Sequence, residues 1–127
     1  MRCKLYEVCS KIVDGNHNPP KGLQYKTNYY MLSSQNIGIN SLVNLDKVRY
    51  ISKEQFCVEN KRTNLEFNDI LFTSVGTIGR SCIYRDNLNL CFQRSVTVIR
   101  TFINPFFLKY LLNLITRLFF LQLHIAL

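Results

Sequence analysis

The stretch DILFTSVGTIGR, residues 69–80, indicates how the centre of this chain folds. A short apolar run, DILFTSV, ends at a turn that contains Gly76 and Gly79, and SCIYRD then returns along residues 81–86. Glycine suits such a turn because it adopts positive φ without steric cost. We therefore predict a β-hairpin, and we prefer this interpretation of the two glycines to a phosphate-cradling loop.

The sequence after the hairpin is typical of a further strand. Residues 90–100, LCFQRSVTVIR, alternate so that Phe92, Val96 and Val98 face the core. Arg94 and Arg100 of the same run would then lie on that face as well. Because a buried, unpaired charge is costly, we expect the strand to twist, bulge or end near them.

Local sequence signals predict two helices, one further strand, and an N-terminal segment that is either a short helix or a strand. Ser52 is a candidate N-cap of a short helix, because its side chain can accept a hydrogen bond from the first turn. Asn104, followed by Pro105, begins a closing helix in the same way. Residues 29–33 favour a strand, whereas residues 4–13 fit either a short helix or an irregular strand. We therefore predict an α+β fold with a mixed, mainly antiparallel sheet, loops on one side and a closing C-terminal helix.

Charge narrows the classes of partner. The 127 residues include 16 Lys and Arg but 8 Asp and Glu, which gives a formal net charge of +8 and a pI near 9.4. Such a surplus favours polyanions, with nucleic acid first and an anionic membrane surface second; ordinary solubility charge is the alternative. The hydrophobic share of 47% excludes a disordered tail, since it is enough for a packed core.

The cysteines and histidines indicate no catalytic or metal site. Five cysteines without a C-x-x-C pair, and no apolar segment after the first methionine, favour reduced thiols in a cytoplasmic protein. Zinc ligation by Cys3, Cys9 and His17 fits no common ligand spacing, and a Cys–His nucleophile using His17 or His124 is less favoured than structural roles. The sequence also has no dinucleotide-binding glycine motif, P-loop or methylase motif, and we predict no cofactor or metal.

Five blocks of the chain carry a resemblance to a known family. The first, residues 8–21 or VCSKIVDGNHNPPK, fits the pattern V-x-x-x-I-x-D-G-x-H-x-x-P-K, and DILFTSVGTIGR is the most specific block. The others are Tyr50-Ile51-Ser52 and Lys61-Arg62 within residues 36–62, Phe92-Gln93-Arg94-Ser95-Val96, and Asn104-Pro105 with Phe107, Leu108, Tyr110 and Leu111. Together they resemble, over residues 4–112, a target-recognition domain of the specificity subunits of type I restriction-modification systems.

The chain departs from that family in two ways. Asn28 and Asn68 stand where the family usually has glycine, and asparagine tolerates left-handed backbone best among the other residues, so we expect both turns to survive. After Leu112 the chain leaves the pattern, since the family continues into a spacer helix and a second recognition domain. We therefore expect a truncated chain, with a DNA-binding target-recognition domain at 1–112 and an apolar helical tail at 113–127.

The resemblance implies sequence-specific binding of double-stranded DNA without catalysis by this chain. The chain would read one half-site and direct a modification (methyltransferase) subunit and a restriction subunit, which carry out methyl transfer and cleavage. Self-association is a further expectation, and membrane association is not expected. The competing interpretations are an inactive truncated remnant, and a basic membrane-surface or interaction protein that uses the apolar tail.

Recognition of this kind needs cations for the phosphates and polar side chains for the base edges. The loop 14–28 and the hairpin turn supply both, on the side that would face DNA. The candidate DNA-binding residues are His17, Lys21, Lys26, Arg62, Thr77, Arg80, Gln93 and Arg94. Asp14 is better suited to capping its turn than to meeting DNA, and Arg94 has an alternative role in a buried pair with Asp69 or Asp86.

The tail allows three interpretations. Lys109 and Arg117 interrupt its apolar run, so no uninterrupted membrane span is present. On a helix these residues share a polar stripe with Asn113, Thr116 and His124, which leaves a wide apolar face. The tail is then a core helix of the domain, an accidental end of the chain, or a surface for a partner or membrane.

Overall fold

A computed structural model describes residues 4–74 and 79–126, with side chains described in the second range as far as Leu118. The strands in these ranges are β1 (Cys9–Asp14), β2 (Tyr29–Leu32), β3 (Arg49–Tyr50), β4 (Ile70–Thr73), β5 (Ser81–Ile83), β6 (Asn89–Phe92) and β7 (Val96–Thr101). The α-helices are α1 (Lys53–Thr63) and α2 (Pro105–Ala126), and short 3-10 helices occupy Leu5–Val8, Ser34–Asn36 and Leu45–Lys47. The predicted α+β class is confirmed.

The strands form two sheets. One has the order β1-β7-β4-β5, with every neighbouring pair antiparallel. The other has the order β3-β2-β6, in which β2 is antiparallel to β3 and parallel to β6. The predicted hairpin consists of β4 and β5, and Gly79 in its turn has a φ of 92°. The predicted mixed, mainly antiparallel pairing is therefore confirmed, although two sheets replace the single one expected.

The two sheets pack face to face, and a helix covers the outer face of each. Phe92 and other buried side chains from both sheets form the central core. On one outer face Ile99 packs with Leu108 of α2, and on the other Met31 belongs to a cluster that includes Phe56 of α1. The domain is therefore a layered α/β/β/α sandwich, and its loops emerge at the ends of the strands.

The prediction of a single strand over residues 90–100 is wrong. β6 ends at Phe92, β7 begins at Val96, and the two strands belong to different sheets. β7 lies inside its sheet, and its residues 96–99 are buried, so a charged side chain has no place there. The turn between the strands exposes Arg94, which resolves the conflict that the arginines posed.

Asp69 pairs with Arg100, and the alternative that buried Arg94 in an ion pair is wrong because Arg94 is exposed. Arg100 Nε donates to Asp69 Oδ1 at 2.9 Å and Nη2 donates to Oδ2 at 2.8 Å. Arg100 Nη2 also donates to the carbonyl oxygen of Asn64 at 2.7 Å. The hydrogen bond with Asp69 raises the pKa of Arg100 above its usual value. This pair fixes the end of β7 to the segment that precedes β4.

The predicted helix caps are confirmed, and one of the two asparagine turns is left-handed. Ser52 Oγ accepts a hydrogen bond at 3.1 Å from a backbone N–H in the first turn of α1, and Asn104 Oδ1 accepts one at 2.9 Å in the first turn of α2. Asn68 has a φ of 75°, as predicted, whereas Asn28 is not among the described residues with positive φ.

The closing helix α2 turns its polar stripe toward β5. The side-chain amide of Asn113 lies 2.9 Å from Ser81 Oγ, and Lys109 is buried, with 9% of its surface exposed. On other faces of the helix Ile115 and Leu118 are more than half exposed, at 61% and 56%. The helix continues without a break past residue 112, where a domain boundary was proposed. No helix in the described ranges has the length and continuous apolarity that a bilayer span requires.

Candidate nucleic-acid interface

The loop that follows β1 crosses the turn that joins β6 to β7. Backbone Asn16 N donates to Phe92 O at 2.8 Å, and Arg94 N donates to Asn16 O at 3.1 Å. A Cβ on Gly15 would lie 2.2 Å from the carbonyl oxygen of Gln93, far inside any normal contact. Glycine is therefore required here by the close approach of two backbones, and not by a positive φ.

This crossing builds a shallow pocket, which we call the polar pocket. It encloses about 310 Å³ and is lined by Asn16, His17, Pro19, Gln93, Arg94 and Ser95. The structure thus brings together three of the predicted residues, His17, Gln93 and Arg94. The side chain of His17 is 58% exposed and Arg94 is also exposed, so their polar atoms are open to a ligand. Arginine can bind a phosphate or guanine through two N–H groups, and a glutamine amide can both donate and accept.

Asp14 supports the polar pocket from behind. Thr97 Oγ1 donates to Asp14 Oδ1 at 2.7 Å and lies 3.0 Å from Ser74 Oγ. The other carboxylate oxygen of Asp14 lies 3.9 Å from Nε2 of His17. This carboxylate therefore ties β1 to β7, whereas the side chain that accepts from a backbone N–H of the turn is Asn16, from Asn18 at 2.8 Å.

Arg80 is anchored to a neighbouring loop. Its Nη2 donates to the carbonyl oxygen of Ser34 at 2.8 Å, and its backbone N donates to Thr73 Oγ1 at 2.9 Å. Arg80 Nε is buried and has no hydrogen-bond partner among the described residues. Backbone Ser34 N donates to Ser95 Oγ at 3.0 Å, which connects Arg80 to the polar pocket. Thr77, also predicted, lies outside the described residues.

The remaining predicted residues are exposed cations elsewhere on the surface. Lys21 and Lys26 belong to the loop 15–28, whose backbone bonds to β3. Arg62 is exposed in the last turn of α1. None of the three lines the polar pocket, although each can neutralise a phosphate on a ligand that extends beyond it.

Two groups of polar residues were missed in the sequence. Asn16 lines the polar pocket, and its Nδ2 donates to Glu59 Oε1 of α1 at 2.7 Å. The sequence signal for Asn16 as a site residue was its position between Gly15 and His17 in the first block. Arg85, Lys109 and Arg117 line a cleft beside α2. The signal for that cleft was the polar stripe of the closing helix, which was noted without a position in the fold.

The described residues contain no group of His, Cys, Asp and Glu arranged to hold a metal ion; Cys3 of the candidate zinc set lies outside them. Burial raises the pKa of the Cys82 thiol to about 11 and that of Cys91 to about 12. These thiols stay protonated at neutral pH, and a protonated thiol is a poor nucleophile.

The fold and the polar pocket define a domain in which a two-sheet sandwich presents cations and amides on its loops. The chain matches the crystal structure of the HsdS subunit from Thermoanaerobacter tengcongensis with a TM-score of 0.63 and 18% sequence identity, over 87% of this chain and 26% of that one. At this identity the likeness establishes the fold.

The sequence comparison indicates one class of protein. Over 57 residues the chain is 44% identical to the type I restriction enzyme EcoBI specificity subunit of Escherichia coli. The aligned residues make up 45% of this chain and 12% of that subunit. The chain therefore spans well under two thirds of either protein, and no family profile matches it. The two comparisons confirm the predicted resemblance to type I specificity subunits.

Proposed function

We propose that this chain binds double-stranded DNA and recognises one half-site for a type I restriction-modification system. The polar pocket carries the proposal, because His17, Gln93 and Arg94 line it together on loops fixed to the sheets, and His17 and Arg94 are exposed. An arginine fork matches guanine or phosphate oxygens, and a glutamine amide matches the edge of adenine. The similarity to specificity subunits supports the same assignment.

Affinity in this proposal comes from the phosphate backbone. Lys21, Lys26 and Arg62 are exposed cations that can neutralise phosphates without reading sequence. Arg80 holds the neighbouring loop in place through its bond to Ser34, and Thr77, which lies outside the described residues, is a further candidate contact. The formal net charge of +8 favours the approach of any polyanion.

The chain itself performs no catalysis in this role and works in the cytoplasm. It directs a modification (methyltransferase) subunit and a restriction subunit to the target, as the resemblance implies. The recognition function is assigned to residues 1–112, with 113–127 as an added helical tail and with self-association as a route to two half-sites. Buried thiols of raised pKa support the absence of a cysteine nucleophile at Cys82 and Cys91.

The test is a titration of a fluorescent random-sequence duplex at several salt concentrations, followed by anisotropy. We expect log K to fall linearly with log salt, with a slope of about −0.9 for each phosphate neutralised. Selection from a random pool should then return a half-site sequence. Absence of binding at low salt, or selection that enriches no sequence, would contradict the proposal.

A second candidate function draws on the exposed apolar side of α2. Phe107, Ile115 and Leu118 are each more than half exposed, as expected of a helix that meets another apolar surface. Together with the basic charge, this favours a membrane-surface or interaction protein. Flotation of the chain with anionic vesicles, in the absence of any duplex binding, would support this candidate over the first.

A further inference from the structure

A basic cleft lies between α2 and the edge strand β5. It encloses about 590 Å³, and the cations that line it are Arg85, Lys109 and Arg117. No Asp or Glu is among its described lining residues, and Asp86 lines a separate, adjoining cleft. The volume is in the range of small-molecule sites, and the charge is of one sign.

Lys109 is the buried cation of this basic cleft. It is 9% exposed, its Nζ donates to Asn40 Oδ1, and no carboxylate in the described part of the chain pairs with it. Loss of hydration lowers the pKa of Lys109. A buried ammonium without an opposite charge is unfavourable, so an anion in the cleft would offset a cost that the fold leaves unbalanced.

The groups around Lys109 are held in place before any ligand arrives. The amide nitrogen of Asn113 donates to Ser81 Oγ at 2.9 Å and to Gly79 O at 3.2 Å. The amide oxygen of Asn113 then accepts from Lys109 Nζ at 3.2 Å. Arg85 lies over the ring of Phe106 at 5.5 Å from its centroid. Lys109 therefore keeps one of its three N–H groups for a ligand, while Arg85 keeps its guanidinium edge.

Arg117 continues the basic cleft toward the hairpin turn. It lies eight residues after Lys109, a little over two helical turns, and lines the same cleft. Arg117 and Asn113 also line an adjoining pocket together with Arg80, whose buried Nε has no partner within the described part of the chain. The cations thus follow one another along the surface instead of clustering with acidic residues.

From this arrangement we infer that the basic cleft binds a phosphoryl group through Lys109, Arg117 and Arg85. Guanidinium groups and an ammonium are the side chains that bind phosphate oxygens best. The phosphoryl group belongs either to the DNA backbone, in which case the inference rests on the proposed function, or to a small phosphorylated compound.

The test is an NMR titration of the full chain with inorganic phosphate, at constant ionic strength maintained with chloride. We expect saturable shifts of the backbone amides of Gly79 and Asn113. Binding should weaken about tenfold in Arg117→Gln, whose exposed side chain is not needed for folding, and should stay unchanged in Lys47→Gln, a cation outside the cleft. Lys109→Met should abolish it. Shifts that do not saturate, or equal affinity in Arg117→Gln and Lys47→Gln, would overturn the inference.

A second measurement distinguishes the two sources of the phosphoryl group. If the source is DNA, Arg117→Gln should lower the salt dependence of duplex binding by about one phosphate. An unchanged salt dependence, with phosphate binding lost, assigns the cleft to a small phosphorylated compound. Saturable phosphate binding by a chain that binds no duplex would reject the proposed function and leave this site standing.

Discussion

Arg94 presents its guanidinium to solvent, while its backbone is fixed by the bond to Asn16. Because the exposed side chain takes no part in the core, its removal should leave the free energy of unfolding unchanged. We predict that Arg94→Ala weakens duplex binding about tenfold, or ~1.4 kcal/mol. Fluorescence anisotropy at low salt measures the affinity, and a thermal melt checks the fold. Lys47→Ala removes an exposed cation outside the polar pocket; if the two variants bind equally well, Arg94 has no special contact.

The cysteines differ in reactivity because they differ in burial. Cys57 is exposed, whereas Cys82 and Cys91 are buried, and burial raises their pKa to about 11 and about 12. The thiolate is the reactive species, so a raised pKa leaves little of it at about pH 8. We predict that iodoacetamide alkylates Cys57 in the native protein and reaches Cys82 and Cys91 only after denaturant is added. Peptide mass spectrometry follows each site, and equal native rates for Cys57 and Cys91 would contradict the buried assignment.

At the scale of elements, the contact between the β1 loop and the β6–β7 turn requires glycine at position 15. A Cβ on Gly15 would meet the backbone of Gln93, which cannot move without disturbing both sheets. We predict that Gly15→Ala lowers the free energy of unfolding by about 1–3 kcal/mol, measured by urea denaturation. Gly22→Ala is the control, because its Cβ would meet the flexible side chain of Arg49. An equal loss in both variants would show that the backbone contact is not what matters.

The elements that local signals define could be predicted from the sequence. The hairpin at 69–86 and the caps at Ser52 and Asn104 depend on residues a few positions apart, and all are present. The division of residues 90–100 could not be predicted, because it depends on β6 pairing with the distant β2. The two arginines did signal that the strand was interrupted, but not which sheet each half would join.

The candidate site shows the same limit. His17, Gln93 and Arg94 were each predicted to contact DNA, but their meeting in one pocket was not predicted. Gln93 and Arg94 were placed within a continuous strand, and the bridge through Asn16 depends on backbone bonds between distant segments. The polar stripe of α2 was recognised, yet its burial against β5 was not, because polar helix faces usually meet solvent. Lys109 therefore became a candidate ligand only in the folded chain.

At the scale of the whole molecule, we propose that copies of the chain meet through the exposed apolar residues of α2. Ile115 and Leu118 lie three residues apart on this helix and are more than half exposed. We predict that Ile115→Ser with Leu118→Ser reduces self-association, because less apolar surface is then removed from water when copies meet. Sedimentation velocity measures the change. Val58→Ser removes an exposed apolar side chain on α1, outside the α2 surface, and should have no effect. Unchanged self-association in the α2 variant would exclude that surface.

The loop 15–28 is attached near both ends by hydrogen bonds, one between backbone groups and one from a side-chain hydroxyl. Near one end Asn16 bonds to Phe92, and at the other Thr27 Oγ1 donates to the carbonyl oxygen of Ile51. Between these anchors most side chains point into water, and few contribute to the core. Under the proposed function, the exposed positions 17, 18, 21 and 24–26 can be varied in a combinatorial library while Leu23, whose backbone bonds to Tyr50, is kept, which makes the loop a cassette for evolving new target preferences.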